Sequence, residues 1–215
     1  MKKMSVNWLY RICTAMAISA IANTGLAESG SNSLQETLNL CVAAEQFEQA
    51  ANVELSNIGW TEVKRKELSD HAILGFAAQQ FSLLTFNSDV SDHWSKTWVS
   101  AKQYAGAERR YKDTNPNVAV QVFERRDNQS ILKLTRTSIG SKVQIQCDVI
   151  LSAESASELA NVLPAPQTLP YPIYTFPRQT TPFGSLQIIG FDQNRIEAAI
   201  KEEFPFFAHF SVVSK

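Results

Sequence analysis

The clearest pattern in the chain is the strict alternation that runs from Asn117 to Leu151. Val118, Val120 and Val122 alternate with Ala119, Gln121 and Phe123. Leu132 and Leu134 alternate with Lys133 and Thr135, and Val143, Ile145, Cys147 and Val149 with Gln144, Gln146 and Asp148. A period of two marks strands with one buried and one wetter face. The breaks, Arg126-Asp127-Asn128-Gln129 and Ile139-Gly140-Ser141-Lys142, carry turn residues, and connections this short join antiparallel neighbours. The pattern predicts a three-stranded antiparallel meander with Cys147 on its core face.

Before the meander the period is helical. Ser33 and Glu36 have the spacing of a capping box, and Leu34, Leu38, Cys41 and Ala44 form the stripe behind it. Phe47, Ala51, Leu55 and Ile58 mark a second helix, which Gly59 is placed to end. A third helix is expected over 69–84, with Ile73, Ala77, Phe81 and Leu84 buried. A fourth opens near Ser91, buries Trp94, Trp98 and Ala101, and loosens at Gly106.

After the meander a small-residue helix is expected over 152–163. Six of the eight prolines then fall between Pro164 and Pro182, interleaved with Tyr171, Tyr174, Phe176 and Phe183. Proline fixes φ and lacks a donor, so 164–183 reads as an extended wrap rather than a helix or central strand. Order returns with a strand at Ser185–Ile189, a helix capped by Asp192 and running to Ile200, and a last strand from Phe206 to Val213. Helices first and strands later indicate an α+β fold: N-terminal helices packed on an antiparallel β-meander with C-terminal strands.

The first 27 residues stand outside this fold. Lys2, Lys3 and Arg11 form a basic head, 12–22 is mostly small and apolar, and Ala20-Ile21-Ala22 and Gly25-Leu26-Ala27 have the form of cleavage sites. This is the layout of a secretory signal peptide over 1–27, with one α+β domain over 28–215. Its apolar run is shorter than the roughly 20 residues a spanning helix needs. Removing 1–27 takes away those three basic residues and no acidic one, which moves the formal charge from −1 to −4. An acidic mature chain is a poor partner for nucleic acid, and no later segment is apolar enough to span a membrane. A periplasmic or secreted location is expected.

Export gives the cysteines their meaning. Cys41 and Cys147 are the two left after cleavage, both on inward faces, and an even pair in an oxidising compartment reads as a disulfide.

Candidate chemistry is sparse. Ser-Asp-His occurs at Ser69-Asp70-His71 and again at Ser91-Asp92-His93. His71, Asp92 and His93 are the residues a small hydrolase or metal site would use. Each tripeptide also stands at a helix start, where Ser caps and Asp favours the positive helix end, and the capping role explains the same residues. His209 alternates with Phe206, Ala208 and Phe210 onto the face of Phe207, the position of a structural or partly exposed histidine. There is no Gly-x-Ser-x-Gly, no phosphate-binding glycine loop and no His-Glu-x-x-His. No catalytic, cofactor or metal residues are assigned.

The expected function is therefore that of an exported soluble protein, non-enzymatic, that binds another envelope or secreted protein. Tyr171, Tyr174 and Phe176 are the candidate partner-binding residues, since aromatics on a stiff extended backbone bind at small ordering cost. A carrier of a small apolar ligand is a further alternative, which needs an enclosed pocket between helices and sheet.

Overall fold

The computed structural model describes Glu36, Thr37, Leu40 and residues 51–85, 91–110, 114–127, 129–155, 172–176, 178–180 and 184–214. The expected signal peptide, Cys41, Tyr171 and most of the expected 152–163 helix lie outside these residues. Four helices are described: α1 (Ala51–Asn57), α2 (Asp70–Thr85), α3 (Ser91–Gly106) and α4 (Gln193–Ile200). Eight strands form one sheet: β1 (Trp60–Glu62), β2 (Val118–Arg125), β3 (Ile131–Ile139), β4 (Lys142–Ser152), β5 (Ile173–Thr175), β6 (Gln179–Thr180), β7 (Gly184–Phe191) and β8 (Phe206–Ser214). Helices with an antiparallel sheet make the fold α+β, as the periodicity implies.

The meander is present as β2–β3–β4, paired antiparallel throughout. Gly140, at φ 62°, turns β3 into β4 through a two-residue loop closed by the pair Ile139 and Lys142. The sheet order is β1-β2-β3-β4-β8-β7-β5, and β6 also pairs with β7. The last strand of the chain thus lies inside the sheet, between β4 and β7.

Local chemistry sets the helix ends. Gly59, at φ 92°, takes the left-handed conformation just past α1. The Ser69 hydroxyl accepts the Ala72 N–H at 2.9 Å, so the first Ser-Asp-His tripeptide does cap α2. Asp192 caps α4 by accepting the Arg195 N–H at 3.1 Å. Arg109, just beyond α3, donates to the Leu68 carbonyl and pairs with Asp70. The end of α3 therefore lies beside the start of α2, and the two helices run antiparallel.

The sheet is buried on both faces, which corrects the one-wet-face reading of the alternation. On one side α2, α3 and α4 cover Ile131, Ile150, Ile189 and Phe206. On the other, Leu55 of α1, Leu40 and Trp60 cover Leu132, Cys147 and Phe210. The Trp60 indole N–H donates to Thr37 Oγ1 at 2.7 Å, tying the N-terminal helical residues to this second face. From Ile145 to Ser152, β4 is buried at every position but Gln146. The helix stripe on α2 also differs from expectation. Leu84 is exposed, and the polar Gln79 and Ser82 are buried, with the Ser82 hydroxyl donating to the Gln79 carbonyl at 2.7 Å.

Phe204 is the hub of the helix-side core. Its ring centroid lies 5.1 Å from Phe191, 5.3 Å from Trp98 and 5.9 Å from Phe206, all near edge-to-face.

Candidate functional site

The helix-side face of the sheet has an apolar half under α2, α3 and α4 and a polar half beyond it. Register places Val122, Lys133, Asp148, Ser211 and Gln187 in one row across β2, β3, β4, β8 and β7. The next row is Val120, Thr135, Gln146, Val213 and Ser185. Thr135, Gln146, Ser185, Gln187 and Ser211 are all half-buried. They make a floor of uncharged amides and hydroxyls.

At the inner end of this floor sit two buried ionisable groups, Asp148 and His209, each 2% exposed. His209 Nε2 lies 3.2 Å from Asp148 Oδ1 and donates to it. The Gln146 amide donates to both carboxylate oxygens, at 3.2 and 3.0 Å, and the Ser211 hydroxyl also bonds to Asp148. Burial is the largest single influence on Asp148 and pushes its pKa up. The hydrogen bond and charge of His209, with Ser211 and Gln146, together outweigh it and hold the carboxyl below the usual range. Lys133, the β3 neighbour of Asp148, points its ammonium at Glu108 at 2.7 Å and over the Phe76 ring. The other ring nitrogen of His209, Nδ1, is buried with no hydrogen-bond partner.

A carboxylate that orients an imidazole and leaves its second nitrogen free is the arrangement of a general base. Here that nitrogen is sealed in the core. Among the described residues no hydroxyl or thiol bonds to it, so the pair does not meet a nucleophile.

The sequence placed His209 on the face of Phe207 as a structural or partly exposed histidine, and the structure buries it. Its burial arises because α2 covers that face, and its partner is 61 positions away in the chain. A partial signal was present: Phe206, Ala208 and Phe210 are apolar on one face, and Phe207 adds an apolar residue beside His209 on the other.

The other candidates fall elsewhere. His71 Nε2 donates to the Gln129 carbonyl at 3.0 Å, and its ring stacks on Phe206 at 5.0 Å. His93 is exposed at the start of α3. Because α2 and α3 are antiparallel and each has 16 residues, His71 and His93 stand at opposite ends of helices about 24 Å long. The Asp92 side chain lies outside the described residues. Among the described residues no three His, Cys, Asp or Glu side chains gather for a metal ion, and no helix is long and apolar enough to cross a membrane.

The Pro-rich segment contributes edge strands. β5 and β6 pair with the same side of β7. Tyr174 is half-buried and bonds to Asp192; burial, then the Asp192 charge and hydrogen bond, raise its pKa. Its ring lies so close to Gly190 that a Cβ there would come within 3.0 Å. Phe176 packs against the second core. Both described aromatics of the candidate partner-binding set are thus used within the fold.

No family model, curated protein or solved structure matches the chain.

Proposed function

We propose that this is an exported soluble binding protein, without chemistry of its own, whose partner is another envelope or secreted protein. The observation that carries the reading is the polar half-face. Five uncharged hydrogen-bonding side chains lie side by side on a rigid sheet, half open, at the border of the helix-covered core. Such a surface offers many directional contacts with little side-chain reordering. Tyr171, Tyr174 and Phe176 are a secondary part of this proposal, Tyr174 and Phe176 through the half of each side chain that stays open.

The bridge between Cys41 and Cys147 belongs to the same reading. Cys147 is 1% exposed, on the strand face turned toward the N-terminal helical residues. Leu40, the residue before Cys41, packs against the core that contains Cys147. A bridge there would tie the N-terminal helical residues to the second sheet face, and losing it would cost about 2–5 kcal/mol.

The test is site-directed photo-cross-linking in the native envelope, with the reactive group placed in turn at Gln146, Gln187 and, as a control, the exposed Arg110. The same protein adduct from the first two positions and none from the control is expected. Equal labelling from all three, or none from any, contradicts the proposed surface.

A further inference from the structure

Asp148 and His209 form a buried site with hydrogen-bonding capacity for one proton. The carboxylate accepts from His209, Gln146 and Ser211. A proton added to it turns one acceptor oxygen into a donor and sets it against the His209 and Gln146 N–H groups, which cannot accept. A proton added to His209 Nδ1 finds no acceptor among the described residues. Either way the added proton leaves a buried polar group unsatisfied, which is costly in a site closed to water.

The position of the pair matters as much as its chemistry. It spans β4 and β8, and β8 is the one strand that joins β7, β5 and β6 to the meander in the described sheet order. We propose that the Asp148–His209 pair makes the β4–β8 seam an acid-sensitive joint, which opens with uptake of one proton while the β2–β3 pairing stays closed. Opening lets water reach both groups and relieves the conflict.

The surrounding groups leave this proton to the pair. From β3, Lys133 faces Asp148 and is held by Glu108. From β7, Gln187 lies opposite Ser211 and Ile189 opposite His209. From α2 the buried polar residues are Gln79 and Ser82, which do not titrate; at its start Asp70 pairs with Arg109, and His71 bonds to the Gln129 carbonyl with its ring against Phe206 of β8. The short turn after β4 carries Glu154. The depressed pKa of Asp148 agrees with the proposal in sign. Its contribution is full above the unfolded carboxylate value of about 4 and is lost as pH falls through the lower folded value.

Amide hydrogen exchange of the full exported chain from pH 7 into the acid range tests this. Corrected for intrinsic rates, the opening constant of the Ala208–Val212 amides should rise by about tenfold per pH unit as pH falls from the unfolded carboxylate value of about 4 toward the lower folded value, the slope of one proton. The Val120–Phe123 amides should show no such slope. Asp148→Asn should flatten the β8 slope, and Glu108→Gln should leave it in place. Where Asp148→Asn does not fold, the two wild-type slopes decide alone. Simultaneous opening of both strand sets at every pH overturns the proposal, as does an Asp148→Asn protein that keeps the β8 slope.

Discussion

Asp148 and His209 are 61 positions apart in the chain and 3.2 Å apart in the fold. The contact exists because the last strand enters the sheet beside β4 rather than at an edge. It places one carboxylate and one imidazole in a layer otherwise closed by Ile150, Ile189 and Phe206.

Removing one partner of such a pair strands the other. Asp148→Ala should destabilise the protein at neutral pH by about 3–5 kcal/mol, the usual cost of breaking a buried pair from one side. The sign of the pH dependence follows from the depressed carboxyl. The wild-type advantage should be full above about pH 4 and shrink below it. Denaturant melts of both proteins across pH check this; a constant difference down to pH 2 would contradict the assignment.

Gly75 is where α2 touches the sheet most closely. A Cβ there would land on Ile131 Cδ1 and within 3.4 Å of the Phe206 ring. Alanine favours a helix interior by about 1 kcal/mol, yet Gly75→Ala should destabilise by about 1–3 kcal/mol through overpacking. Thermal melts should show a lower Tm. An unchanged or raised Tm would show that Ile131 can move aside freely.

The elements most legible in the sequence were those with local signals. The Gly59 stop, the Asp192 cap, the Ser69 cap and the Gly140 turn act within a few residues, and α1, α2, α3, α4 and β2–β4 follow from them. Illegible were the features made by distant pairing. Trp60 forms an edge strand through its pairing with Arg125, and Tyr174 does so through Gly190. The site fared worst. Gln146 and Asp148 alternate with apolar residues whether their face meets water or a helix, and only the tertiary position of α2 decides between them.

His71 and His93 should behave as unrelated residues. His71→Ala loses one hydrogen bond and a ring contact and should cost about 1 kcal/mol; His93→Ala, at an exposed position, should cost almost nothing. Metal analysis should find no stoichiometric zinc in the wild type. Zinc that is present and lost only in the double variant would contradict this separation.

The proposed function rests on export of the chain and on one bridge between Cys41 and Cys147. Intact-mass measurement of the native exported protein, before and after reduction, tests both parts at once. The account predicts a chain beginning at Glu28 that is lighter by one pair of hydrogens until reduced, with no thiol open to alkylation before reduction. A chain beginning at Met1 and held in the membrane, or a mature chain with two alkylatable thiols, would contradict it.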